Sequence, residues 1–216
     1  RKYAYNLYKR LLEPTLEKMS GSVNELIIVP DEFLTRVPFE AFLQDNGEGK
    51  TYWDFDYLIK SFNIRYLISS NRKESERSSI KKESKILGMG FSESLNTNSG
   101  SSSLSSLPGT EREIQFLDAS FDGDYYLGAE GSRERFLSDA KDYDIIHLAV
   151  HGKADSSNRF QSSLIFNGKD SVLNTNQLYL ANIRAQLAVL SACESGKGQI
   201  ESGEGTFSIA RGFAIV

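Results

Sequence analysis

The sequence predicts an α/β protein with a mainly parallel sheet covered by helices on both faces. Two observations lead there. Several short apolar runs rich in β-branched residues lack the polar alternation of a half-exposed strand, and helical patterns lie between several of them. The bulk composition agrees, because 39% hydrophobic and 25% charged residues are ordinary for a folded globular chain.

The elements follow in order. Tyr5, Tyr8, Leu11, Leu12, Leu16 and Met19 recur at helical spacing, so residues 1–20 read as an amphipathic helix interrupted or restarted near Pro14. "NELIIVP", Asn24 to Pro30, is short, β-branched and ended by proline, as a buried strand is. Pro38 in "DEFLTRVPFEAFLQ" precedes an apolar stretch, as in a loop entering a short helix. Further strands are predicted at Asn63 to Ser69, Ser84 to Phe91, Tyr143 to Val150, Ser163 to Phe166 and Gln186 to Ala192. A helix is expected from Thr110, where Thr110 and Glu113 have the spacing of a capping box. Others follow Ser132 and run from about Gly203 through "GTFSIARGFAIV". The charged run Ser69 to Ser84 reads as a solvated connector, and the Ser-rich stretch 92–109 as a variable, mobile surface loop.

Length and charge bound the function. With 216 residues the chain has room for one or two domains and reads as a single domain over 1–216, C-terminally incomplete because it stops within an apolar pattern. A net charge of -4 supplies no electrostatic attraction to nucleic acid or to an anionic membrane, so neither is expected as a direct partner. No apolar run approaches the roughly 20 residues of a membrane-spanning helix. A single cysteine forms no internal disulfide and no secretory leader is apparent, which points to a cytoplasmic location.

The chemistry concentrates in two places. The two histidines, His147 and His151, both lie in "DYDIIHLAVHGK". On a helix they would share a face and suggest a zinc pair, but the segment is β-branched, ends in Gly152 and lacks the glutamate that follows the first histidine in that motif. A strand rising about 3.3 Å per residue sets them about 13 Å apart, too far to share one metal. His147 then reads as a core histidine with a backbone or hydroxyl partner. His151 falls at the carboxyl end of its strand, where ligands and reactive groups gather in open parallel sheets.

Cys193 occupies the corresponding end of "QLAVLSA". Alone it reads as a small buried hydrophobe; beside a His-Gly pair on a neighbouring strand it reads as a nucleophile. A free thiol with an ordinary pKa of about 8.5 needs an imidazole to take its proton at neutral pH. The same imidazole can return that proton to a leaving amine. The N–H groups of Gly152 and Cys193 are the expected oxyanion donors, since glycine permits close backbone approach. "ESGKGQIESGEG" suits a loop at an open cleft, or a simple strand-to-helix connection. Glu194, Glu201 and Glu204 are candidates for contacting basic groups of a substrate, or equally for complementing a helix dipole. A serine nucleophile at Ser191 or Ser195 fits poorly, because "SACESG" lacks the glycine two residues before the serine.

"YDIIHLAVHGKADSSNRFQSSLIF" and "LAVLSACESGKGQIESGEGTFSIARGF" resemble the two signature blocks of CHAT domains, caspase-like cysteine peptidase domains often attached to tetratricopeptide repeats. "IIVPDEFLTRVPFEAF" and "LPGTEREIQFL" are similar to further blocks of that family, so the resemblance spans essentially the whole chain. It implies a caspase-like three-layer sandwich, His151 and Cys193 as a catalytic dyad, Gly152 in the oxyanion hole, and peptide cleavage through an acyl-enzyme thioester with no metal or organic cofactor. It also implies a protein substrate and an upstream repeat region or regulatory protein as partner. The resemblance further implies a regulated effector in a larger bacterial assembly, as in the antiviral systems whose members act with an RNA-guided complex or cleave pore-forming gasdermins. The other reading, motivated by the C-terminal elements of the family that are absent here, is a catalytically dormant scaffold for protein interaction.

Overall fold

The computed structural model describes residues 1–19, 21, 23–67, 80, 83–92, 104–193, 196–201 and 205–215. The predicted connector 69–84 and loop 92–109 fall mostly outside these residues, as do Glu194 and Glu204. The chain divides into two units, Arg1–Lys73 with Ser202–Gly205, and Glu74–Glu201 with Thr206–Val216.

In the first unit, α1 (Lys2–Leu11) ends just before α2 (Glu13–Leu16), which carries Pro14 in its first turn. The restart follows from proline's missing N–H, harmless at the start of a helix and disruptive inside one. Strand β1 (Glu25–Ile28) pairs in parallel with β2 (Asn63–Tyr66). Between them lie short 3-10 turns at Glu32–Arg36, Phe39–Ala41 and Leu58–Lys60. Buried Phe39, Phe42 and Leu58 form a local core against Tyr8, Leu12, Leu26 and Ile28. The Tyr66 hydroxyl closes this unit by accepting from the Phe39 N–H (3.1 Å) and donating to Glu40 (2.8 Å).

The second unit contains β3 (Ile86–Gly90), α3 (Pro108–Ser120), β4 (Gly123–Leu127), α4 (Arg133–Asp139) and β5 (Ile145–Ala149). There follow β6 (His151–Lys153), β7 (Ser163–Ile165), β8 (Val172–Asn174), α5 (Thr175–Leu180) and β9 (Leu187–Leu190). The chain ends with β10 (Gly198–Glu201), β11 (Gly205–Ser208) and α6 (Ile209–Ile215). Four strands make an all-parallel sheet in the order β4-β3-β5-β9. Its two faces differ in a way the strand pattern explains. Leu87, Met89, Ile146 and Leu148 face a core shared with Phe136 of α4, Leu178 of α5 and Ile209 of α6. On the alternate positions, a side chain on Gly88 would strike Tyr125 of β4, and one on Gly90 would strike Ile114 of α3. Gly90 lets α3 settle closely on the second face. The result is the predicted layering of helix, sheet and helix.

Several expectations are corrected. The run Ser163 to Phe166 does not join the parallel sheet; β7 sits in a separate antiparallel sheet of order β6-β7-β8, because the connections 154–162 and 166–171 reverse the chain. The helix expected from Gly203 starts at Ile209, because Gly205–Ser208 is taken into a two-stranded ribbon with β10. Strands β4 and β8 and helix α5 were not anticipated; "GDYYL" is recognisable as a strand only through its pairing with β3. The capping box at Thr110 and Glu113 is absent. Helix α3 starts two residues earlier, at Pro108, so Thr110 lies inside the first turn, with its hydroxyl at hydrogen-bond distance from the carbonyls of Phe91 (2.6 Å) and Leu107 (2.8 Å).

Burial and the Glu40 contact push the Tyr66 phenol up to about 12. A raised folded-state value means that its contribution is complete below the ordinary tyrosine value of about 10 and is lost as pH climbs through about 12. Tyr66→Phe is expected to lower stability by about 1 kcal/mol at neutral pH. Thermal unfolding of the two proteins checks this, and the difference between them should shrink above pH 10.

Candidate active site

The site grows out of the pairing of β5 with β9. These strands are parallel neighbours in a register that ends at Leu148 opposite Leu190, and the Ser191 N–H extends the ladder by one bond to the Leu148 carbonyl (2.9 Å). Both chains then leave the sheet at its carboxyl edge, where parallel strands present their ligand-facing ends. Val150 is buried, His151 opens β6, and Cys193 follows Leu190 by three residues. The predicted strand holds to within a residue at its carboxyl end: β5 stops at Ala149, and the backbone goes on to pair antiparallel with β7, His151 opposite Ile165 and Gly152 opposite Leu164. A strand ladder, not a loop, holds the His151 main chain.

Gly152 shows how tightly the two segments meet. A Cβ there would lie 2.1 Å from the Cys193 carbonyl oxygen and 3.5 Å from the Ala192 Cβ. Glycine is required for this approach of two main chains, with no unusual φ involved. The structure thus brings Cys193 against the residue that follows His151. Cys193 is exposed and its thiol is free.

The His151 ring has two neighbours. Its Nε2 lies 3.0 Å from the Ser105 carbonyl oxygen, and its ring meets the edge of Phe91 at 4.6 Å between centroids with a 74° tilt. A carbonyl only accepts, so Nε2 carries hydrogen and the neutral ring keeps its lone pair on Nδ1. Phe91 is fully buried and its N–H donates to the Ala149 carbonyl (2.9 Å), which anchors the aromatic wall in the sheet. Ser105 was not singled out in the sequence, and no side-chain signal exists to find it, because the contact is made by the main chain. It belongs to the part of the predicted loop 92–109 that the structure describes. There Leu104 and Leu107 pack on the core on either side of the contact.

His147 has a different partner from the one expected. In place of a backbone or hydroxyl group, a carboxylate meets its ring: Nε2 lies 2.7 Å from Oε1 of Glu113 on α3. The other Glu113 oxygen, Oε2, accepts from the Ser191 hydroxyl at 3.0 Å. Each histidine ring thus serves its own neighbour, and among the described residues no group of three or more histidine, cysteine, aspartate or glutamate side chains is placed to hold a metal ion.

The segment after Cys193 contributes β10, so the predicted loop is partly a strand. Gln199 on β10 accepts from the Arg159 N–H (2.8 Å), tying the ribbon to the segment between β6 and β7. Asp155 shapes that segment by accepting from the Ser157 hydroxyl and from the N–H groups of Ser157 and Asn158, which hold its carboxyl below the usual range. Glu201 has its backbone in β10, whereas Glu194 and Glu204 lie outside the described residues. Among the described residues no helix is long and apolar enough to cross a membrane.

A parallel sheet between helical layers, with a histidine and a cysteine leaving the carboxyl ends of adjacent strands, defines the caspase-like class of α/β domains. The family model of the CHAT domain matches residues 1–216, and the chain belongs to the CHAT domain family, whose fold is caspase-like. A search of curated proteins returned no match.

Gly152→Ala has no room at 2.1 Å from a carbonyl oxygen, so the main chain must shift. The expected cost is about 1 to 3 kcal/mol, as for other overpacked positions, read as a lower unfolding temperature.

Proposed function

We propose that the chain is a cysteine endopeptidase that cleaves a protein substrate, with Cys193 as nucleophile and His151 as general base and then acid. The observation that carries this reading is the approach of Cys193 to Gly152 at the carboxyl edge of the sheet, beside a histidine whose Nε2 is engaged by Ser105. That engagement leaves Nδ1 as the basic atom, and the Ser105 carbonyl steadies the ring once it is protonated.

The reaction then runs in two halves. Nδ1 takes the thiol proton, and the sulfur attacks the carbonyl carbon of the scissile peptide. The oxyanion of the tetrahedral intermediate is stabilised by the N–H groups of Gly152 and Cys193. The C–N bond breaks as the imidazolium gives its proton to the leaving amine, and a thioester remains on Cys193. Water, deprotonated by His151, attacks the thioester; the C–S bond breaks, a carboxylic acid leaves and the thiol regains its proton.

Cys193→Ala is expected to reduce turnover of a protein substrate by at least roughly a thousandfold while leaving thermal unfolding unchanged. Full turnover by this variant would refute the assignment. Iodoacetamide labelling of Cys193 tests the pairing without a known substrate: rapid reaction below the ordinary thiol range should disappear in His151→Ala. Slow labelling that is indifferent to His151 would favour the dormant scaffold.

A further inference from the structure

We propose that Glu113 is a positioning residue for this reaction, a carboxylate brace across the carboxyl ends of β5 and β9. The inference rests on the cysteine peptidase reading of Cys193 and His151. Glu113 projects from the second turn of α3 and uses both oxygens: Oε1 meets His147 on β5, and Oε2 takes the hydroxyl of Ser191 just past β9. The two partners flank the last register pair, Leu148 opposite Leu190, so the brace sits where the two chains part from the sheet.

Ser191 is the informative partner. It is exposed and its hydroxyl has access to water, so burial does not compel a protein acceptor. A hydrogen bond to a carboxylate is nevertheless stronger than one to a neutral group, and it holds the hydroxyl in one direction. Ala192, next in the chain, packs against the core, and Cys193 returns to the exposed side with Ser191. Holding Ser191 therefore sets the path by which the chain delivers Cys193 toward Gly152.

Helix α3 gathers the other supports as well. Thr110, one turn earlier, reaches the carbonyl of Phe91, whose ring edges His151. Ser105, three residues before the helix, holds His151 Nε2. One helix and its lead-in thus brace both proposed catalytic residues, and Glu113 is the part that acts on the cysteine side.

The test is the rate of Cys193 alkylation by iodoacetamide as a function of pH, with thermal melting recorded alongside. It is run on the chain itself, on Glu113→Ala, Glu113→Gln and Ser191→Ala, and on the Glu113→Ala/Ser191→Ala double variant. The brace predicts that Glu113→Ala and Ser191→Ala each slow the His151-dependent labelling at low pH by roughly ten- to a hundredfold, as loss of alignment does. The double variant should be no slower than the slower single one, and Glu113→Gln should recover most of the rate, since an amide spans the same two partners. A merely structural role would lower the melting temperature and leave the labelling profile of the folded protein unchanged, which would overturn the inference. Multiplicative effects of the two single changes would overturn it too. If Glu113→Ala does not fold, Ser191→Ala decides alone. If the unaltered chain shows no His151-dependent labelling, the peptidase reading fails and takes the brace with it, a result distinct from intact activation that ignores Glu113.

Discussion

The parallel pairing of β5 with β9 is the constraint from which the site follows. Parallel strands put their carboxyl ends on the same edge, and a register that closes with Leu148 opposite Leu190 releases both chains at the same level. Two apolar runs about forty residues apart in sequence thereby deliver a histidine and a cysteine to one place. The pairing is itself enforced by burial: Ile146 and Leu148 on one strand and Leu190 beside them belong to the same core as Leu87, Met89 and Phe136, so a one-residue slip would turn apolar side chains out of it.

Close approach of backbones is the second recurring device. Gly88 and Gly90 on β3 make room for Tyr125, Leu127 and Ile114, and Gly152 admits the Cys193 carbonyl. In each case the residue is glycine because another group occupies the space of a Cβ. Helix α3 exploits the first of these approaches and carries Thr110 and Glu113 onto the polar positions above the sheet. The side of the sheet opposite the main apolar core therefore supplies the carboxylate that holds Ser191, two residues before Cys193.

His151 and Cys193 were legible as a pair because each follows an apolar β-branched run and stands next to a small or flexible residue. The supports around them were not. Ser105 acts through its carbonyl, which every residue possesses. Glu113 carried a local explanation, the capping box, that the earlier start of α3 at Pro108 removes. For His147 the local sequence suggests a backbone or hydroxyl partner, since nothing in "DYDIIHLAV" names a carboxylate on a helix thirty-four residues away.

By itself the sequence determined the α/β class, the strands β3, β5 and β9 of the parallel sheet and the chemical types at their ends. Those properties are local, set by side-chain hydrophobicity, β-branching and the placement of proline and glycine within a few residues. Only the tertiary structure decided that the chain goes on past β5 into a second, antiparallel sheet, that Gly205–Ser208 is strand before it is helix, and that Glu113 joins His147 to Ser191. Strand partnership and side-chain hydrogen bonds between distant segments depend on which neighbours the packed chain supplies. A stretch of sequence read in isolation holds the donor and the acceptor but not the distance between them.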